Sequence, residues 1–213
     1  MTIPILKSIG VSRLRMGIDG EGVTTLVCAW GCPLRCAYCL NPHCFNKEAK
    51  TRSFTPQELY SLVKKDEIYF CATGGGITFG GGEPLVNAEF ISCFRSLCGS
   101  SWKINAETCL NLPREMLKTA LCAVDTFIID IKDMDAHIYE RYTGRDNTAV
   151  IKNLEFLAGE GRSKDVVLRL PLIPGFNSDA DRARSRETLE KMGFSRFDEF
   201  SYVIKHRAQP PCP

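Results

Sequence analysis

Six short apolar runs punctuate the chain, and a stretch with helical marks separates each from the next. Residues 23–30 (VTTLVCAW) are β-branched and apolar, as a buried strand requires. Residues 76–79, 102–106, 124–131, 166–170 and 199–204 read as five further strands. Between the first two, Thr55-Pro56-Gln57-Glu58 supplies a cap and a first-turn proline for a helix reaching residue 65. Helical spacing recurs over residues 87–97, 113–122, 135–142, 147–159 and 179–192. Such alternation predicts parallel βα units. Six strands cannot close an eight-fold barrel of about 250 residues. The expected fold is therefore α/β, a partial (β/α)6 TIM-like barrel of parallel strands with one open side. A flat doubly wound sheet is the alternative. The 213 residues suit one domain, 1–213, with residues 1–21 an N-terminal extension and residues 207–213 a tail.

Composition narrows the partners. The formal net charge is +2, with both signs interspersed, which argues against a nucleic-acid or membrane surface. No apolar run approaches the roughly 20 residues of a membrane span. Residues 1–16 mix Lys7, Arg13 and Arg15 into apolar stretches, without the continuous apolar region of a signal peptide. A cytoplasmic protein is expected. Cysteine is frequent, at 11, yet the number is odd and six lie singly, at Cys71, Cys93, Cys98, Cys109, Cys122 and Cys212. That is no disulfide framework, and isolated cysteines serve mostly as small core residues.

The exception is Cys32-Pro33-Leu34-Arg35-Cys36-Ala37-Tyr38-Cys39, a CxxxCxxC loop directly after the first strand. Thiolates are the ligands of iron–sulfur clusters, which usually take four cysteines. Three leave one iron with an open position, as a catalytic zinc keeps one site for substrate. A zinc site completed by His43 and Cys44 is the competing assignment.

With these residues in view, the chain resembles the radical S-adenosylmethionine (SAM) superfamily, whose CxxxCxΦC signature takes Tyr38 as its aromatic member. It is most similar to the activating enzymes of glycyl radical enzymes. The likeness runs from Asp19-Gly20-Glu21-Gly22 through Cys39-Leu40-Asn41-Pro42 and the two glycine-rich stretches Gly74-Gly75-Gly76 and Gly81-Gly82-Glu83-Pro84. It continues through Asn105-Ala106-Glu107-Thr108, Asp130-Ile131-Lys132, His137 and Thr143-Gly144, and ends in residues 169–177 (RLPLIPGFN).

The resemblance implies one [4Fe-4S] cluster on Cys32, Cys36 and Cys39, with SAM on its open iron. Only residues 40–54 separate Cys39 from the Thr55 cap, too few for the ferredoxin-like insertion of many relatives. Tyr38 and Leu40 flank the last ligand, and Gly81, Gly82 and Glu83 are assigned to the methionine part of SAM. A glycine run also lets backbone approach a ligand closely. Asp130 and Lys132, with Ile131 between them, share one face of their strand because side chains alternate. By resemblance they meet the ribose and carboxylate of SAM. Arg169, a cation within an apolar strand, pairs with the SAM carboxylate or a neighbouring acid. His206 stands near the place of a SAM-proximal histidine. A monovalent cation is a further candidate ligand, for Glu107, Thr108 and Asp130, with Glu107 replacing the family's aspartate.

The implied reaction is reductive cleavage of SAM to a 5′-deoxyadenosyl radical, which abstracts a glycine hydrogen in a partner glycyl radical enzyme. A flavodoxin or ferredoxin is the expected electron donor. A rival is a small-molecule radical SAM enzyme similar to 7-carboxy-7-deazaguanine synthase, whose family shares GGEP. Asp130-Ile131-Lys132-Asp133, His137, Thr143-Gly144 and the IPGFN segment favour the activating enzymes. The third possibility is a non-catalytic zinc or iron–sulfur module, which needs a fourth permanent ligand. The variant Cys44→Ser separates these classes. Retained iron and SAM cleavage is the expected result, whereas loss of metal would point to the module.

Overall fold

A computed structural model describes residues 2–203. Among these residues eight strands and seven α-helices of seven to thirteen residues follow one another. They are β1 (Leu6–Met16), β2 (Val23–Ala29), β3 (Arg52–Phe54), α1 (Pro56–Val63), α2 (Glu67–Thr73), β4 (Gly76–Gly81), α3 (Ala88–Cys98), β5 (Lys103–Thr108), α4 (Arg114–Leu121), β6 (Thr126–Asp130), α5 (Ala136–Thr143), α6 (Thr148–Gly159), β7 (Val166–Leu172), α7 (Asp179–Lys191) and β8 (Phe197–Ser201). One sheet runs in the order β3-β1-β2-β4-β5-β6-β7-β8. From β2 to β8 every neighbouring pair is parallel, so the six expected strands form the partial barrel. Its two edges, β3 and β8, do not pair with each other, which leaves one side open.

Residues 1–21, expected as an extension, contain β1, which pairs antiparallel with both β2 and β3. Its sequence hides the strand because the register shifts between Ser8 and Gly10 and again between Ser12 and Arg15. Each bulge swaps the faces of the side chains beyond it and erases the period-two pattern. The Thr55 cap is formed as expected, with the reciprocal bond from Glu58, but the helix stops at Val63. A single turn at Lys64–Asp66 then redirects the chain into α2. The last strand ends at Ser201, and His206 and Cys212 lie outside the described residues.

Strand alternation sorts the side chains into two populations. Val27, Ile77, Phe79, Ile104, Phe127, Ile129 and Leu168 are fully buried on the convex face beneath the helices. Trp102 anchors the first half of this core, stacked on Tyr60 at 5.2 Å and edge-on to Phe70 at 5.2 Å. The concave face instead carries Thr24, Thr78, Asn105, Glu107, Asp130 and Arg169. The Asp19–Gly22 turn is folded against this polar face. The Asp19 carbonyl accepts from Thr78 Oγ1 at 2.5 Å, and the Ile18 carbonyl from Arg169 Nη2 at 2.7 Å. Gly20 has φ +135°, and a Cβ there would collide with the Asn105 amide, so glycine is required.

A second polar tie crosses the convex side. Arg13 of β1 donates Nε and Nη2 to the buried Asp66 carboxylate at 2.7 and 2.5 Å, and Thr25 Oγ1 adds a bond at 3.3 Å. The Arg13 bonds hold the Asp66 carboxyl below its ordinary 3.8. A carboxylate whose folded pKa lies below its unfolded value stabilises above the unfolded value, and the gain is lost as pH falls through the folded one. Asp66→Asn should therefore cost about 1–3 kcal/mol at pH 7. Urea unfolding of both proteins should show that difference shrinking as the pH drops below 3.8.

Candidate active site

The C-terminal ends of the parallel strands gather around the loop that leaves β2. Gly31 N donates to Cys44 O at 3.0 Å, and Arg35 N and Ala37 N donate to Thr143 O and Tyr142 O at 2.8 and 3.0 Å. The end of α5 therefore grips the loop on both sides of Cys36. Gly144, at φ +72°, terminates α5 in the left-handed cap, which turns these carbonyls outward to the loop. The Thr143-Gly144 pair thus acts through the cysteine loop. Tyr38 donates its hydroxyl to Pro174 O at 3.4 Å and sets its ring edge on Phe176 at 5.6 Å. Asn177 braces that wall by accepting from Ile173 N at 2.6 Å and donating to Asp133 Oδ2 at 3.1 Å. His137 lies on the exposed first turn of α5, where its backbone N–H meets the capping Asp135 at 2.9 Å.

Cys32, Cys36 and Cys39 are all half-buried and line one cavity. Among the described residues no three His, Cys, Asp or Glu side chains draw together around a single ion. The three thiols instead border a shared space, which fits a polynuclear cluster whose irons each take their own thiolate. A hydrogen bond from the Cys44 side chain pushes the Cys39 thiol down to about 6, while burial pushes Cys36 up to about 11. Cys44, the candidate fourth zinc ligand, is 1% exposed and stands beside Cys39.

Gly81 and Gly82 form the opposite wall. Gly82 N and Glu83 N donate to Ala29 O and Gly31 O at 3.0 and 2.8 Å, and a Cβ on Gly82 would collide with Gly31 O. Asn41, beside Leu40, donates Nδ2 to Gly81 O at 3.1 Å. The Glu83 side chain, assigned to the methionine moiety, points away from the cavity. It is fully buried, with its carboxylate accepting from Leu85 N, Thr108 Oγ1, Cys109 N and Cys109 Sγ at 2.8 to 3.0 Å. Burial pushes its pKa up, and the four donors act in the opposite direction. Its role in this structure is to lock the glycine turn to the end of β5.

Charged groups close the floor. Lys132, 7% exposed, sits 3.1 Å from Asp130 Oδ2 and 3.4 Å from Tyr202 OH. Burial opposes the Lys132 charge, but Asp130 holds its pKa raised. Arg169 donates to Glu107 Oε1 at 2.7 Å and reaches Asp198 at 3.5 Å. Burial pushes the Glu107 carboxyl up, and Arg169 draws it back. Ile131 faces the buried side, and its backbone N–H bonds Arg169 O at 3.0 Å. Leu40 stands at the rim, 79% exposed.

Glu107, Thr108 and Asp130, the residues expected around a monovalent cation, all line the cavity. Glu107 and Asp130 point to the concave face, and Thr108 follows at the end of β5. Its hydroxyl serves Glu83 Oε1 at 2.8 Å and Leu110 N at 2.9 Å. Asn41, Cys109, Tyr142 and Tyr202 also line the cavity and were not among the expected site residues. Only Asn41 had a signal, as the neighbour of Leu40 in the Cys-Leu-Asn-Pro motif.

Among the described residues no helix is long and apolar enough to cross a membrane. The model of the radical SAM superfamily matches residues 27–187. The (2S)-3-sulfopropanediol dehydratase activating enzyme of Klebsiella oxytoca is 26% identical, over 87% of this chain and 81% of that protein. The pyruvate formate-lyase-activating enzyme of Staphylococcus aureus is 30% identical, over 77% of this chain and 67% of its own. In fold, the chain superposes on Streptococcus suis SuiB bound to S-adenosylmethionine with a TM-score of 0.64 at 15% identity, covering 83% of this chain and 39% of SuiB. The family uses a [4Fe-4S] cluster and SAM, and the three thiols around one cavity suit that pair. The chain belongs to the radical SAM superfamily, in the branch that holds these activating enzymes.

Proposed function

We propose that this protein is a glycyl-radical-enzyme activating enzyme that works in the cytoplasm with a flavodoxin or ferredoxin as electron donor. The observation that carries the proposal is the cavity itself. Cys32, Cys36 and Cys39 border it beside a buried ammonium, two carboxylates and the open backbone of Gly81 and Gly82. Cys32, Cys36 and Cys39 would hold the cluster. SAM carries a carboxylate, an amino group, a sulfonium and a ribose, and the walls supply a counterpart for each class of group. Lys132 is the cation for the carboxylate, while Asp130 and Glu107 offer acceptors to the amino group and ribose hydroxyls. Arg169 keeps Glu107 oriented, and the glycine turn lets ligand atoms approach the backbone.

A cluster held there would pass one electron from the donor protein to SAM, which would break a sulfonium C–S bond to methionine and a 5′-deoxyadenosyl radical able to take hydrogen from a glycine Cα. The chain's part is to position SAM, keep water out and admit the glycine. The unpaired edges β3 and β8 leave the barrel open. Beside the cysteine loop a groove is lined by Leu40, Pro42 and Phe45. An exposed apolar rim of this kind suits a peptide loop of a partner protein better than a small polar metabolite.

Anaerobic purification and reconstitution should give about four irons and four sulfides per chain, with methionine and 5′-deoxyadenosine released on reduction with SAM. A glycyl radical signal in the EPR spectrum of a candidate partner is the deciding result. A chain loaded with zinc alone, or a failure to raise that signal in any partner, would overturn the proposal. Lys132→Met should weaken SAM binding at least about tenfold while the iron content holds.

A further inference from the structure

One polar group in the cavity wall has no role in the chemistry above. Tyr142 is 1% exposed, and its hydroxyl has no hydrogen-bond partner among the described residues. A buried phenol of this kind is unusual, because buried polar atoms nearly always find a partner. The side chain lines the same cavity as the three thiols, in the last turn of α5. Its ring is edge-on to Phe176 at 5.0 Å and tilted against Tyr38 at 6.2 Å.

The backbone ties Tyr142 to one ligand in particular. Ala37 N donates to Tyr142 O and Arg35 N to Thr143 O, so the two neighbours of Cys36 are fastened to Tyr142 and the residue after it. Cys36 is the cysteine of the three that stands near the phenol. The other polar groups nearby are Lys132 and Tyr202. Lys132 has only protons to offer. Tyr202, whose oxygen accepts from Lys132 Nζ at 3.4 Å, is the one neighbouring hydroxyl that could take the phenol's proton, but no bond between the two meets hydrogen-bond geometry. What the phenol lacks is an acceptor at hydrogen-bonding geometry.

On the reading that Cys32, Cys36 and Cys39 hold a cluster, we propose that the Tyr142 hydroxyl donates a hydrogen bond to a sulfur of that cluster on its Cys36 side. A sulfur ligand carries the negative charge that such a donor seeks, and an apolar surround of Phe176 and Tyr38 strengthens the bond. The reduced cluster is the more negative state, so the donor stabilises it preferentially and raises the reduction potential. Tyr142 is thus a cofactor-contacting residue that tunes the electron step.

The test compares Tyr142→Phe with wild type, both purified without oxygen and titrated by EPR in the absence of SAM. The variant should hold the same iron and sulfide, show a more negative midpoint potential and keep its SAM affinity. With metal removed it should melt no lower than wild type, because it lacks a hydroxyl that the protein leaves unpaired. An unchanged midpoint with an intact cluster overturns the assignment. So does weaker SAM binding at an unchanged midpoint, which places the phenol on SAM. A lower melting temperature of the metal-free variant also overturns it, since the hydroxyl would then have a protein partner. If Tyr142→Phe takes up less iron, that melting comparison decides the matter in the same way. A wild type that holds no cluster sinks the cluster reading itself, and this assignment with it.

Discussion

A buried carboxylate holds the site together. Glu83 sits at the end of β4 with four donors around it, three of them from Thr108 and Cys109 at the end of β5. Its backbone N–H, with that of Gly82, is bonded to the end of β2 where the cysteine loop begins. Three strand ends are thereby tied by one residue. Burying a carboxylate is costly unless its lone pairs are met, and here no counter-ion is needed because hydrogen bonds meet them. The residue therefore contributes by geometry, keeping the glycine turn pressed against the cysteine loop.

The same strands separate two kinds of chemistry. Their convex side is a conventional aromatic and aliphatic core, and their concave side holds two linked ion pairs, Lys132–Asp130 and Arg169–Glu107. Neither pair adds much stability, since desolvation offsets the attraction. They keep charge in a place where an apolar sheet would have none, ready for a zwitterionic ligand. The Asp19–Gly22 turn, bonded to Thr78 and Arg169, braces this layer.

The cysteine loop is held from its other flank by helix ends. The α5 carbonyls at Tyr142 and Thr143, and the Pro174 carbonyl that meets Tyr38, set the loop's shape. Motifs that look catalytic in the sequence thus divide into two groups. Cys32, Cys36, Cys39, Gly81, Gly82, Asp130, Lys132 and Arg169 do line the cavity. Glu83, Thr143, Gly144 and Asn177 support its walls.

Strand–helix alternation was written in the apolar periodicity, so the parallel half-barrel and its open side were readable from residues 23 to 201. The CxxxCxxC spacing placed three thiols on one loop whatever the fold around them. Period-two alternation put Asp130 and Lys132 on one face for the same local reason. What the chain order could not express were contacts between distant segments. The bulges of β1 removed its pattern, and the partners of Glu83 lie 25 and 26 residues away at Thr108 and Cys109. Whether a carboxylate faces a ligand or its own backbone depends on which donors packing brings beside it. That choice belongs to three-dimensional contact, because hydrogen bonds are decided by distance in space and not by separation along the chain.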